Sequence, residues 1–279
     1  MSRRAKIVYW ITVILFVIIS LGPIVWSFII SVTPESEMFK NTTNFLPKNI
    51  IFDNYENLFT VSGRKSKSFR MGMINSLKAC ATTIAIGIPV ATLAAYALSR
   101  IRFRGKEIVR NLLLITMVIP VFTTIIPLYK MFSDFGFLDN IFWLTVVYVS
   151  AFLPMTVWLL SNYFDTIPIE LEEAAAIDGC GKMRILLTII LPVSYTIIFA
   201  AILIIFIMTW NQFQIPLILA SSKSTKPLSM VMSEFTTKDT VRYGLTAAAG
   251  MLSILPPAII AVVFRKFLVS GLTGGSVKE

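Results

Sequence analysis

The most concentrated polar chemistry in this chain lies in a short acidic segment at 170–179, between two long apolar runs. Glu170, Glu172 and Glu173 come near the start of a predicted helix, where the helix dipole favours negative charge. Gly179 suits the left-handed position that ends a helix. The residues at three- and four-residue spacing that leave a small-residue face for close contact are Leu171, Ala174, Ala175 and Asp178. This chemistry suits the docking of a soluble partner, although a solvated connecting helix has the same composition.

Catalytic chemistry is missing from the sequence. The chain has no histidine, the commonest metal ligand and a frequent general base. Gly179-Cys180-Gly181-Lys182 resembles part of a phosphate-binding loop but lacks its length and the strand before it. Cys80 and Cys180 are too few and too separated for a disulfide framework. We therefore expect no catalytic residue, no metal site and no cofactor on this chain.

Three residues near the ends of apolar runs could contact a polar solute. The ring of Trp210 could stack on a sugar, and the amide of Asn211 could bond its hydroxyls. The alternative is a tryptophan at the membrane interface beside an asparagine that satisfies a helix end. Asn75 has the same two interpretations, and a structural role is favoured for it.

The elements that must position these residues are membrane-spanning helices. Hydrophobic residues make up 56% of the 279-residue chain, and a helix needs about 20 apolar residues to cross a bilayer. Six runs predict spans, at 7–34, 79–99, 111–129, 140–164, 185–222 and 243–264. The fifth run is too long for one span. We predict a single helix at about 191–215, with a pair of spans as the alternative.

Basic residues predict the orientation of the spans. In a six-span arrangement one side receives Arg3, Arg4, Lys6, Arg100, Arg102, Arg104, Lys106, Arg110, Arg265 and Lys266. The opposing cluster in the first outer loop consists of Arg64, Lys65, Lys67 and Arg70. The short, dense connection at 100–110 favours both termini in the cytoplasm. The net charge of +10 lies mostly between spans, which indicates lipid headgroups and not nucleic acid as its partner.

Within 165–184 we predict a short helix lying across the cytoplasmic membrane surface. Pro168 suits its first turn, and Gly181 opens the next turn. Pro120, Pro127 and Pro192 are predicted to kink or end the helices that contain them.

The spacing around the acidic segment is specific. Glu-Ala-Ala, three residues, Gly, nine residues, Ile, one residue and Leu-Pro occupy 173–192 without a gap. Further motifs are Asn75-Ser76-Leu77, Ala95-Tyr96-Ala97-Leu98-Ser99-Arg100, Ile167-Pro168-Ile169-Glu170-Leu171, Trp210-Asn211-Gln212-Phe213 and the tail at 271–279. Together they resemble the permease subunits of ATP-binding-cassette importers, whose EAA loop has this spacing. The tail is similar to that of the MalG-type sugar permeases.

This resemblance implies an all-α membrane protein with the type I importer (MetI-like) permease fold, six transmembrane helices and both termini inside. It divides the chain into a first helix at 1–34, an external loop at 35–70, a five-helix permease core at 71–268 with its EAA loop at 165–190, and a cytoplasmic tail at 269–279. The implied location is the plasma membrane of a bacterium or archaeon.

The resemblance also implies partners. These are a second, MalF-like permease subunit, a cytoplasmic ATPase dimer that carries ATP and magnesium, and an extracytoplasmic sugar-binding protein. The residues that would couple to the ATPase are Glu170, Leu171, Glu173, Ala174, Ala175, Asp178, Gly179, Leu191 and Pro192.

Three other functions are weighed against this one. An ion-coupled secondary transporter usually has ionisable residues inside its spans, and here Lys78 and Lys130 lie near span ends. A permease of the same fold could instead carry peptides, ions or amino acids. A membrane scaffold without transport activity would make the spacing at 173–192 a coincidence.

Overall fold

The computed structural model describes residues 3–38, 46–60, 63–222, 224–237 and 242–273, and no β-strand occurs among them. The α-helices are α1 Arg3–Ser31, α2 Glu35–Met38, α3 Asp53–Thr60, α4 Arg64–Arg100, α5 Lys106–Val118, α6 Val121–Asp134, α7 Ile141–Asp165, α8 Glu170–Ile177, α9 Lys182–Ile185, α10 Leu191–Val193, α11 Tyr195–Trp210, α12 Gln214–Leu219, α13 Leu228–Thr237 and α14 Tyr243–Thr273. A π-helical turn, Leu186–Ile190, connects α9 to α10. Side chains beyond Arg265 and residues 274–279 lie outside the described part, so the predicted tail is not tested.

Among the described residues, four helices are long and apolar enough to cross a membrane, namely α1, α4, α7 and α14 up to Arg265. Two further pairs qualify only when each bent pair counts as one span, which raises the number to as many as six. The first pair is α5 with α6, and the second joins Lys182–Val193 to α11. The helical class is therefore confirmed, with between four and six candidate spans.

The third predicted span, at 111–129, is two helices and not one. α5 ends at Val118 and α6 begins at Val121, with a bend of 95° between them. Pro120 at this break has an extended backbone and, like any proline, no N–H to continue a helical hydrogen-bond ladder. The predicted role of Pro120 in ending a helix is confirmed. Pro127 lies inside α6.

The single helix predicted at 191–215 is wrong. α11 covers only Tyr195–Trp210, and an 82° bend separates it from Lys182–Val193. Pro192 cannot donate a backbone hydrogen bond, and the π-helical turn before it already disturbs the regular ladder. Hydropathy is insensitive to this break because the residues on both sides of it are apolar.

The contacts divide the chain into two compact units. The first comprises Met1–Met73 and Met230–Pro256. In it the Asn54 side chain donates to the Ser31 carbonyl at 2.9 Å, and Arg70 donates from Nη1 to the Phe59 carbonyl at 2.6 Å. Arg70 therefore satisfies the carboxyl end of α3, which gives this member of the basic cluster at 64–70 a structural role.

The second unit comprises Ile74–Ser229 and Pro257–Glu279. Its main core is formed by one face each of α4, α7 and α11, with the turn before α10. The fully buried members include Ala91 and Ala95 of α4, Leu160 and Phe164 of α7, and Ile190 of the π-helical turn. Alanines allow the α4 backbone to approach its neighbours closely, as small residues do between membrane helices. The acidic segment belongs wholly to this unit.

Candidate functional site

The acidic segment forms helix α8, as predicted, although its first residue is Glu170 and not a position around Pro168. The three glutamates occupy the first turn, at the positive end of the helix dipole. At the other end Gly179 has φ of +81°, and the N–H of Cys180 donates to the Ala175 carbonyl at 3.0 Å. The predicted glycine stop is therefore confirmed, and Gly181 precedes α9 as predicted.

One face of α8 is buried and the opposite face is exposed. Glu172 and Ala175, three residues apart, are the buried residues of the helix. The exposed residues 170, 171, 173, 174, 176, 177 and 178 make up the rest of the surface of α8 and its carboxyl end. Ile177 is 87% exposed, the highest exposed fraction among the large hydrophobic side chains that the structure describes. The exposed face is thus acidic at both ends with an isoleucine near its carboxyl end.

The predicted coupling residues divide between these two environments. Glu170, Glu173, Ala174, Asp178 and Gly179 are exposed. Leu171 is 44% exposed, whereas Ala175 packs into the main core. Leu191 and Pro192 lie outside α8, in α10, with Leu191 partly buried against the core and Pro192 exposed.

The buried side of α8 contains an ion pair that the sequence did not single out. Nε of Arg100, the last residue of α4, lies 2.5 Å from Glu172 Oε1 in an ion pair that lacks hydrogen-bond geometry, and the two side chains are 9% and 5% exposed. The Arg100 guanidinium also donates from Nη2 to the Ile167 carbonyl at 2.6 Å. Tyr96 donates its hydroxyl to Glu172 Oε2 at 3.1 Å. We call these three side chains, Tyr96, Arg100 and Glu172, the brace.

The sequence contained one signal of this brace. Tyr96 and Arg100 are four residues apart, so both fall on one face of α4. Their position predicts that a third polar group meets them, but it does not identify Glu172 among three neighbouring glutamates. Arg100 was expected to face lipid headgroups, and the structure instead buries it in the protein.

A second, more exposed pair lies nearby. Arg110 of α5 donates from Nη2 to Asp165 Oδ2 at the end of α7, at 2.9 Å. Lys106 donates its ammonium group to the Ser99 carbonyl at 3.2 Å. Because the Arg110–Asp165 pair is partly solvated, water weakens its contribution to stability. Together the two contacts fix the connection between α4 and α5 to the neighbouring helix ends.

Two of the candidate solute-path residues, Trp210 and Asn211, lie at the carboxyl end of α11, and the third, Asn75, lies within α4. Trp210 is 6% exposed and stacks on Phe206, with ring centroids 5.6 Å apart. Asn211 is exposed and donates its amide to the Ile207 carbonyl at 3.0 Å. Asn75 is buried and donates to the carbonyls of two residues in the connection before α13, Ser224 at 2.9 Å and Lys226 at 3.1 Å.

The same connection is held by a carboxylate. Asp139 Oδ1 accepts from the Ser222 N–H at 2.7 Å, and Oδ2 accepts from the Ser221 hydroxyl at 3.0 Å. Partial burial raises the pKa of Asp139, but these hydrogen bonds outweigh it and hold the pKa below its ordinary value. Asp139 itself has φ of +55° in the turn between α6 and α7. The charged carboxylate therefore organises this end of the second unit.

The described residues lack the clusters of ligand side chains that bind metal ions in proteins. No group of three or more Cys, Asp or Glu side chains among them could hold a metal ion.

Comparison with known proteins gives a family match. The model of the family described as "Binding-protein-dependent transport system inner membrane component" matches residues 87–274. The trehalose/maltose transport system permease protein MalG of Thermococcus litoralis is 30% identical over 98% of this chain and 97% of its own length. The galactooligosaccharides transport system permease protein GanQ of Bacillus subtilis is 31% identical over 94% of this chain and 91% of its own length.

A solved structure has the same fold. It is a crystal structure of a bacterial transporter of the ATP-binding-cassette class that is involved in import of the acidic polysaccharide alginate. One of its chains superimposes with a TM-score of 0.80 at 23% identity, over 95% of this chain and 98% of that chain.

Proposed function

This chain belongs to the family of inner membrane components of binding-protein-dependent transport systems, and from that premise we propose that it couples sugar uptake to a separate ATPase through α8. The observation that carries the proposal is the exposed face of α8. It presents Ile177, at 87% exposure, between carboxylates of Glu173 and Asp178. A partner that covers this face would remove the isoleucine from water and leave the carboxylates at its rim.

The proposed energy source is a cytoplasmic ATPase dimer that carries ATP and magnesium. This chain would supply the surface that the dimer moves, and ATP hydrolysis would take place on the dimer. A second, MalF-like permease would complete the translocation path. A sugar-binding protein outside the membrane would deliver the solute, in keeping with the description of the family.

The proposed topology has six spans with both termini in the cytoplasm. It counts each bent helix pair as one span. It requires α8, which lies between α7 and the second bent pair, to face the cytoplasm. The protein would then lie in the plasma membrane of a bacterium or archaeon.

The proposed solute is a sugar or oligosaccharide. Its support is that relatives covering nearly the whole chain are named for trehalose, maltose and galactooligosaccharide transport. Trp210, Asn211 and Asn75 are retained as solute-path candidates. The Trp210 ring is buried against Phe206, so stacking on a sugar would require another state of the transport cycle.

The test expresses the chain with its native partner subunits and measures uptake of radiolabelled maltose and trehalose. Ile177→Asp should abolish uptake and reduce co-purification of the ATPase, with unchanged amounts of the chain in the membrane. Leu46→Asp is the matched control, because Leu46 is 70% exposed and lies in the proposed external loop. Normal uptake and ATPase recovery with Ile177→Asp would overturn the proposal.

A further inference from the structure

The brace joins α8 and the chain just before it to α4 through an ion pair and hydrogen bonds. Arg100 reaches both the Glu172 carboxylate and the Ile167 carbonyl, so one guanidinium bridges the first turn of α8 and the chain that leads into it. Tyr96 occupies the second oxygen of the same carboxylate. Each oxygen of Glu172 therefore has its own partner on α4.

The polarity of the two helix ends favours this pairing. Arg100 ends α4, where the helix dipole is negative, and Glu172 lies in the first turn of α8, where it is positive. Both side chains are nearly withdrawn from water. A charge in that position is costly unless its partner is present, so the pair strongly disfavours separation of the two helices.

α8 has few other means of holding its orientation. It has eight residues, and isolated helices shorter than about 12 residues are marginal in water. Its buried side chains are Glu172 and Ala175, and an alanine contributes little apolar area. The direction of α8 relative to α4 therefore depends chiefly on the brace.

We propose that Arg100 and Glu172 are positioning residues, and that they make α8 a rigid extension of α4. This inference rests on the proposed function, in which the ATPase displaces α8. The brace would transmit that displacement from α8 to the spanning helix α4. Neither residue touches the solute or the ATPase in this scheme. They act through the orientation of the exposed face, with Tyr96 fixing the carboxylate.

The experiment measures the mobility of a spin label on α8 in the intact transporter, purified with its ATPase. The label is attached to Ile177→Cys after Cys80→Ala and Cys180→Ser. A control label on α5 uses Ile108→Cys, because Ile108 is 66% exposed and lies outside α8. We expect Arg100→Gln to remove the immobilised component of the spectrum at 177 and to leave the spectrum at 108 unchanged.

A coupling measurement accompanies the mobility measurement. With maltose and trehalose as probes, Arg100→Gln should increase the ATP hydrolysed per sugar taken up, while the ATPase still co-purifies. Arg100→Lys retains the charge but offers one nitrogen in place of two, so it should restore the immobilised component in part. It also replaces Arg100→Gln if that variant fails to accumulate.

The outcomes separate the two proposals. An unchanged spectrum at 177 in both Arg100 variants, with the ATPase bound, would overturn the brace and leave the proposed function intact. Equal loosening at 177 and 108 would show general destabilisation and would also overturn it. Failure of the unaltered chain to co-purify with an ATPase would instead contradict the proposed function, whatever the spectra show.

Discussion

Cys180 donates its backbone N–H to the Ala175 carbonyl at 3.0 Å, and Gly179 between them has φ of +81°. This hydrogen bond closes the carboxyl end of α8 and fixes where the exposed face stops. The space around Gly179 is open, with nothing within 4 Å of an added Cβ. The requirement for glycine is therefore conformational and not steric.

The first prediction concerns this glycine. Gly179→Val should destabilise the end of α8 by more than about 1 kcal/mol, because a β-branched residue resists the left-handed conformation. Gly179→Asn should cost less, since asparagine tolerates that region. Hydrogen exchange of the α8 amides measures both effects. Gly181→Ala is the control, because Gly181 has φ of −73° and open space, and it should leave exchange unchanged.

The second prediction contrasts two neighbouring glutamates. Glu172→Gln should lower stability by about 3 kcal/mol, because it leaves the buried Arg100 guanidinium without its counter-charge. Glu173→Gln should leave stability within about 0.5 kcal/mol, because that side chain is exposed. Thermal unfolding of the purified protein provides the measurement. Equal losses in the two variants would contradict the assignment of Glu172 to the buried face.

The third prediction concerns pH. The pKa of Asp139 is lowered in the folded protein, so its stabilising contribution is complete above the ordinary value of about 3.9 and is lost as pH falls through the lower folded value. Protonation should loosen the connection that contains Ser221 and Ser222. Asp139→Asn should produce the same loosening at neutral pH.

Limited proteolysis of the 220–226 connection measures this loosening in Asp139→Asn. Asp134→Asn is the control, since Asp134 is an exposed aspartate at the end of the neighbouring helix α6. Cleavage that is equally slow in Asp139→Asn and in the unaltered protein would exclude the proposed role of the carboxylate.

The fourth prediction concerns the outer basic cluster. Arg70→Leu removes hydrogen bonds to the Leu58 and Phe59 carbonyls, so α3 should lose about 1 kcal/mol of local stability. Lys67→Leu replaces an exposed side chain and serves as the control. Faster hydrogen exchange in α3 with Arg70→Leu alone is the expected result. Identical hydrogen exchange in both variants would show that the hydrogen bonds of Arg70 do not stabilise α3.

Particular residues explain how far the sequence predicted this structure. α8 and its glycine stop were predictable because capping and the helix dipole act within a few residues. The span predicted at 140–164 matches α7, Ile141–Asp165, whose start is marked by the side-chain cap Asn140, which accepts from the Phe142 N–H. Pro120 and Pro192 were predicted to kink or end their helices, but the size of the 95° and 82° bends was not, because the apolar residues on both sides of each break give no hydropathy signal.

The brace could not be predicted from the sequence, for a different reason. Tyr96 and Glu172 are 76 positions apart, and which of three adjacent glutamates turns inward depends on the rotation of α8 against α4. Local patterns do not determine that rotation. It depends on contacts between parts of the chain that are far apart in sequence, the Arg100–Glu172 pair above all and the packing of Ala175 beside it.

Photo-crosslinking from position 177 shows directly whether α8 contacts an ATPase in the cell. Benzoylphenylalanine replaces Ile177 in cells that express the complete transporter, and the crosslinked partner is identified by mass spectrometry. We expect the crosslinked partner to be a protein that contains an ATP-binding P-loop, and we expect no such product from position 46. No crosslink to an ATPase from position 177, in cells that still take up sugar, would contradict the coupling role of α8.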